Sequence, residues 1–210
     1  MRIDVFFDTV CPWCWIGKRH LEMAIEQWDG ESVSLHYHPY LLDPSIPEGG
    51  YNFKEHMMKK GGGRVPLEQW FDAPRRAGEA VGIDLQFDKI EKTPNTLLSH
   101  QMIACAPEAE KGKLIEAIFE AHFRDSRDIG DRECLLAIAQ EQGIDSAFFT
   151  EAKLAEAKES VMAELQMGQE IGISGVPFYV IDNTYSFSGA QPPEAIVNIL
   201  TQAASMKSKS

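Results

Sequence analysis

The chain has 210 residues and a formal net charge of -12, with 44% hydrophobic and 25% charged side chains. That length supports one domain with a sizeable core, or one fold carrying a large insertion. The acidic balance argues against nucleic acid and anionic membrane surfaces as partners, because phosphate contacts need basic patches.

Arg2 to Phe7, rich in Ile, Val and Phe, reads as a strand. Asp4 and Asp8 interrupt the apolar stretch Ile3 to Val10, which therefore lacks the continuous apolar core of a secretory signal. No apolar run reaches the roughly 20 residues that span a bilayer. The expectation is a soluble cytoplasmic chain with Met1 as its native start. Pro12 suits a first helical turn. Leu21, Ala24, Ile25 and Trp28 follow at helical spacing, and Gly30 closes the run. Val33 to Tyr37 reads as a second strand, closed by Pro39.

From Asp43 to Gly63, prolines and glycines predict a loop-rich region. About a hundred residues of helical pattern follow. Pro74 to Val81 ends at Gly82, and Thr96 to Ala106 carries Leu98, Met102 and Cys105 on one stripe. Ile115, Ile118, Phe119 and His122 form another stripe, on which His122 reads as a core or interface histidine. Asp131 is an expected N-cap, Asp145 another, and Ala157 to Ile171 a last helix. Strand pattern then returns in Phe178 to Ile181 and Tyr185 to Ser188, with Asn183 at the turn between them. Glu194 to Ala204 closes the fold as a helix.

The order is β-α-β, a helical block, then β-β-α. This is the order of an α/β thioredoxin-like fold with a large all-helical insertion. The expected division is a discontinuous core (residues 1–42 and 172–205), an insertion (43–171) and a polar, disordered tail (206–210).

Cys11-Pro12-Trp13-Cys14 sits after the first strand and opens the first helix. A thiolate is the nucleophile in disulfide exchange, and unpaired N–H groups at a helix N-terminus favour one there. Two intervening residues place the second sulfur one turn on, within reach of a mixed disulfide. Cys11 is the expected attacking thiol and Cys14 the resolving one. A structural zinc site wants four N/S ligands in paired spacing. The remaining cysteines, Cys105 and Cys134, lie far apart in sequence and fall on apolar stripes, so they read as buried small hydrophobes. No metal is expected. Gly175-Val176-Pro177 stands at the mouth of the late strand, where a cis proline beside the cysteines could align an extended substrate through Val176.

The stretch Asp8-Thr9-Val10-Cys11-Pro12-Trp13-Cys14-Trp15-Ile16-Gly17 resembles the active site of DsbA-like, FrnE-type oxidoreductases. Thr93-Pro94-Asn95-Thr96 with His100, Val176-Pro177-Phe178, and Ser188-Gly189-Ala190-Gln191-Pro192 resemble three further motifs of that family. The four ordered motifs span nearly the whole chain. The resemblance implies a thioredoxin core with a helical insertion and dithiol redox activity. It also implies kinship with kappa-class glutathione transferases and 2-hydroxychromene-2-carboxylate isomerases, which usually carry serine at the first cysteine position. Oxidising members typically have Pro-His between the cysteines; here the pair is Pro12-Trp13, and Trp13 carries no charge. The direction of exchange therefore stays open.

The expected function is thiol–disulfide exchange, with Cys11, Cys14 and Pro177 catalytic. Pro12, Trp13 and Val176 are expected on the substrate side. Asn95 and His100 join them through the resemblance alone, although Asn95 also reads as a helix N-cap after Pro94. No organic cofactor is implied beyond a redox-active disulfide, and glutathione stays open as a co-substrate. The expected partners are protein or small-molecule thiols and disulfides, with no nucleic acid or membrane, and either a monomer or a homodimer. A glutathione-dependent transferase or isomerase, and a redox-linked chaperone, are the competing readings.

Overall fold

A computed structural model describes residues 1–62 and 66–207. Gly63 and residues 208–210 of the expected tail lie outside that range.

The first strand, β1 (Arg2–Phe7), leads through a short loop into α1 (Pro12–Glu26), then β2 (Ser34–Pro39). The return comes with β5 (Phe178–Ile181), β6 (Tyr185–Ser188) and α8 (Pro193–Lys207). These strands form a sheet in the order β2-β1-β5-β6. The β1–β2 pair is parallel, as a β-α-β unit requires, and the other two pairs are antiparallel. Asp182 and Asn183 both have positive φ, which lets two residues turn the β5–β6 hairpin. α8 runs two residues into the expected tail, where Lys207 reaches Glu31 and Asp182.

Between the two halves lie α2 (Phe53–Lys60), α3 (Leu67–Glu79), α4 (Leu97–Cys105), α5 (Glu108–Phe123), α6 (Arg132–Glu141) and α7 (Glu151–Glu170). A two-stranded ribbon, β3 (Tyr51–Asn52) and β4 (Lys92–Thr93), ties the start of this block to the approach to α4.

Three expectations need correction. α2 occupies a segment expected to be loop: the Asn52 side chain accepts the Glu55 N–H at 3.1 Å, and Phe53 is buried. This cap starts a helix despite the surrounding glycines. α3 begins at Leu67 rather than Pro74, with Pro74 buried inside it. A proline inside a helix removes one backbone hydrogen bond, and here the burial of Phe71 and Gly78 on the same helix offsets the loss. Asp145 caps only a single 3-10 turn, Ser146–Phe148; the following helix is capped by Thr150 and starts six residues before Ala157. The Asp131 cap is as expected, accepting the Cys134 N–H at 2.9 Å.

Two hydrophobic clusters share the sheet. Ile3, Val5, Leu21, Ala24, Tyr179 and Leu200 pack the sheet against α1 and α8. The other cluster joins Phe7, Cys11, Cys14, Trp15 and Ile16 to the inserted helices. Trp15 stacks on Phe119 at 5.9 Å and on Phe123 at 6.0 Å, both on α5. Its indole N–H donates to Glu116, which also receives Lys18 at 2.7 Å and Arg19 at 2.8 Å. The first turns of α1 are thus held by the insertion as firmly as by the core.

A second tie lies on the opposite side. His38 on β2 sets one ring nitrogen 2.7 Å from Asp4 and the other 2.7 Å from Glu164 on α7. Arg2 forks onto Asp4 as well. Burial opposes charge on His38, but the bonds to Glu164 and Asp4 outweigh it and raise its pKa above the usual 6.5. Burial likewise opposes charge on Asp4, and the bonds to Arg2 and His38 outweigh it and lower its pKa below 3.8. The His38 contribution is complete below pH 6.5 and is lost as pH rises through the raised folded value. The Asp4 contribution is complete above 3.8 and is lost as pH falls through the depressed one. Thermal melts of wild type and His38→Gln should therefore differ most near pH 5, by on the order of 1 kcal/mol, and converge as pH rises. A difference that does not vary with pH would sink this account.

Candidate active site

β1 ends at Phe7, and the chain turns once before helix α1. Cys11 is the N-cap residue, in extended conformation with no side-chain cap bond, and Pro12 opens the first turn. The Cys11 N–H donates to the Asp8 carbonyl at 3.0 Å, and the Cys14 N–H donates to the Cys11 carbonyl at 3.0 Å. Cys11 and Cys14 are both free thiols, and they are close enough to share a side-chain hydrogen bond. They are 4% and 2% exposed, so only a sliver of Cys11 reaches solvent.

The opposing wall comes from the return strand. The Val176–Pro177 peptide is cis, and the Cys11 thiol points at the Val176 carbonyl from 3.9 Å. Val176 is half-buried and edges an open depression with Ser174, Gly175 and Gly189. Pro177 itself is buried against α1: a Cβ added at Gly17 would lie 3.0 Å from its Cγ. On the other side, Pro12 and the exposed Trp13 line an apolar cavity of about 190 Å³. Its far wall is made by Phe71, Phe87 and Phe123 of the inserted block.

Burial pushes the Cys14 pKa well up, the adjacent Cys11 thiol adds to this, and a bond from the Asp8 backbone only partly offsets it. Cys14 is therefore a thiol at neutral pH. Cys105 and Cys134 are more exposed, but burial raises both their pKa values as well.

Six of the eight residues expected at the site thus converge: Cys11, Cys14, Pro12, Trp13, Val176 and Pro177. The other two do not join their surface. Asn95 lines a separate depression with Glu48, Gln101 and Arg132. Its amide donates to the Ile46 carbonyl at 2.6 Å and accepts the Leu97 N–H at 2.9 Å. It braces the entry to α4, although the N-cap position itself falls on Thr96. The His100 imidazole is only 2% exposed and lies 3.5 Å from Asp8, away from the surface that Pro12, Trp13 and Val176 share. His122 is buried and neutral, its pKa pushed down to about 4 by burial.

Residue-type reasoning passed over Asp8 and Tyr179. Asp8 is 1% exposed and sits directly behind the dithiol; its signals are its place at the head of the motif that runs to Gly17 and a carboxylate closing an apolar strand three residues before Cys11. Tyr179, fully buried, brings its hydroxyl under α1 at Gly17. Among the described residues no cluster of three or more His, Cys, Asp or Glu could hold a metal ion.

Residues 2–201 match the DSBA-like thioredoxin domain model. The chain belongs to this family. YwbO of Bacillus subtilis (strain 168) is 28% identical over 187 residues, 88% of each chain. The crystal structure of a probable DsbA oxidoreductase from Streptomyces coelicolor superposes with a TM-score of 0.87 at 28% identity, covering 98% of this chain and 90% of that one. Lower identities accompany a shared fold in two further structures. A 2-hydroxychromene-2-carboxylate isomerase gives 0.70 at 17%, covering 100% and 98%, and the cytosolic disulfide reductase DsbM of Pseudomonas aeruginosa gives 0.65 at 18%, covering 100% and 98%. The thioredoxin-like fold with inserted helices is therefore shared across DSBA-like oxidoreductases and an isomerase.

Proposed function

We infer that this DSBA-like protein exchanges disulfides through a dithiol/disulfide couple of Cys11 and Cys14. The observation that carries the reading is the pairing of two free thiols at the mouth of α1, with Cys11 turned toward the Val176 carbonyl at 3.9 Å. Cys11 attacks a substrate disulfide and forms a mixed disulfide. Cys14 then attacks Cys11, closes the protein disulfide and releases the substrate as a thiol. Pro177 and Val176 form the wall along which an extended substrate aligns, and Pro12 and Trp13 form the other. The Asp8 backbone N–H bonds the Cys14 sulfur from behind the pair. The reading needs no metal or organic prosthetic group. Its partners are protein or small-molecule disulfides in the cytoplasm. Glutathione is a candidate among them, because the DsbM fold has been solved with it.

The apolar cavity beside Pro12 supports a second reading, a glutathione-dependent transferase or isomerase, since a buried apolar pocket suits a small ring-bearing substrate.

Labelling order tests the assigned roles. Brief alkylation of the reduced protein at neutral pH should modify Cys11 first. Cys14 should lag because it is buried and protonated, and Cys105 and Cys134 because their pKa values are raised. Peptide mass mapping that found Cys14 modified ahead of Cys11 would reverse the roles.

A further inference from the structure

A depression of about 390 Å³ opens among α4, α6, α7 and the loop that carries Glu48. It stands back to back with the cavity beside Pro12 and Trp13. Ile46 and Thr96 face that cavity, whereas Glu48 and Asn95 face the depression. The depression contains an unsatisfied group. Gln101 on α4 lines it and is only 7% exposed, and its side-chain amide makes no hydrogen bond with any described residue. A buried amide left unpaired costs stability, and nearly all such groups in folded proteins are paired. The position therefore calls for a partner from inside the depression.

The charges around it are unpaired as well. Arg132 opens α6 and Lys158 lies on α7, both exposed. The Arg132 guanidinium reaches only the Phe149 carbonyl, at 3.4 Å, and Lys158 reaches no polar group among the described residues. Neither pairs with a carboxylate, although acidic residues outnumber basic ones 32 to 20. Glu48 lines the same depression and is equally without an ion pair among the described residues. Two cations and a carboxylate thus share one depression without neutralising each other. That arrangement complements a ligand bearing both an acid and a hydrogen-bond donor. Leu97 and Leu98, each half-buried, add an apolar patch to the wall.

We propose that this depression binds a small carboxylic acid that carries an amino or hydroxyl group on the adjacent carbon and an apolar tail. Arg132 and Lys158 take the carboxylate, and Glu48 accepts from the amino or hydroxyl group. Gln101 offers one bond of each kind, an N–H to the carboxylate and a carbonyl to the donor. Leu97 and Leu98 take the tail. Glu48 weighs against a phosphomonoester, whose second charge it would repel. No bond is made or broken at this site, and it does not depend on the state of Cys11 or Cys14.

The test is a proton–nitrogen NMR titration of the full chain at neutral pH, read at the Gln101 side-chain amide. The probes are L-leucine, its hydroxy analogue leucic acid, isocaproate (the same skeleton without the donor) and inorganic phosphate, with sodium chloride as the control for ionic strength. L-leucine or leucic acid should shift the amide saturably where chloride does not, and the tighter of the two identifies the ligand as an amino acid or a hydroxy acid. A hydrogen bond to a charged group corresponds to about tenfold in affinity, less where solvent screens it. Isocaproate should therefore bind several-fold more weakly than the tighter acid, and so should phosphate. Arg132→Gln and Lys158→Gln should each weaken the tighter acid several-fold; both side chains are exposed, so both variants should fold. Glu48→Gln should weaken the tighter acid and leave isocaproate unchanged. No saturable shift with any of the acids would mean that water alone fills the depression, and would overturn the proposal. So would affinities that ignore both Arg132→Gln and Lys158→Gln, or isocaproate or phosphate binding as tightly as the better acid.

Discussion

Changing Cys14→Ser should convert the protein into a trap. With no internal attacker, the Cys11 mixed disulfide can be released only by an external thiol. The variant purified under non-reducing conditions should carry protein or glutathione adducts on Cys11 that a reductant removes. Cys11→Ser should carry none, because the serine hydroxyl does not attack a disulfide at neutral pH. Its exchange activity should fall at least about 10³-fold, the scale on which loss of a nucleophile acts. Cys14 is 2% exposed and protonated, so it cannot substitute as the entry point. Intact mass spectrometry of the two variants decides the matter. An isomerase that relies only on glutathione's own thiol predicts the opposite pattern: Cys14→Ser keeps activity and traps nothing. Equal, low adduct levels in both variants would count heavily against exchange.

The second large effect is expected at Gly17. In a helix interior, Gly→Ala ordinarily stabilises by about 0.5–1 kcal/mol, since alanine has less backbone entropy to lose. Here the sign should reverse. An added Cβ would fall inside contact distance of the Tyr179 hydroxyl oxygen and 3.0 Å from Pro177 Cγ. Tyr179 is fully buried and stacked on Phe187 at 4.4 Å, so it has nowhere to swing. Overpacking of this kind costs about 1–3 kcal/mol. For a chain of this size, that amounts to a drop in Tm of several degrees, roughly 2–4 °C per kcal/mol. The strain would press on Pro177 and Cys11's neighbours, so exchange should slow as well. Tyr179→Phe removes the offending oxygen. That oxygen has no hydrogen-bond partner, so the single variant should be near neutral. Combined with Gly17→Ala it should recover most of the lost stability. Calorimetry of the four proteins closes the cycle. If Gly17→Ala melts at or above wild type, or if Tyr179→Phe leaves its deficit untouched, the close approach of α1 to the return strand is not what fixes glycine there.

Both expectations concern residues whose roles differ greatly in how openly they are written. Cys11-Pro12-Trp13-Cys14 announces itself, because its chemistry is local: spacing within one helical turn, at the end of an apolar strand, already places both sulfurs. Val176-Pro177 is legible by its position before a late strand. Gly17 is quoted in a motif, yet nothing in the neighbouring residues says that a tyrosine hydroxyl 162 positions on will lie against it.

The helical block shows the same division. Asp131 is a cap that acts within three residues and was readable. α2 was hidden by the glycines around it, and α3 by Pro74, because burial of Phe53 and Phe71 against one another at 5.7 Å outweighs local propensity there. Asn95 and His100 entered as one motif and part company in space. Asn95 braces a loop from the surface; His100, five residues on, turns inward to Asp8.

The β-α-β start, the β-β-α end and the placing of the dithiol between strand and helix were legible in the sequence alone, since hydrophobic period and short spacings act over a few residues. Which buried groups stand behind the dithiol was decided only by tertiary packing. Asp8 and His100 are 92 residues apart, and their pairing depends on how α4 docks against the end of β1. No local pattern encodes that docking; it follows from burying the faces of Phe7, Trp15 and the inserted helices in one common core.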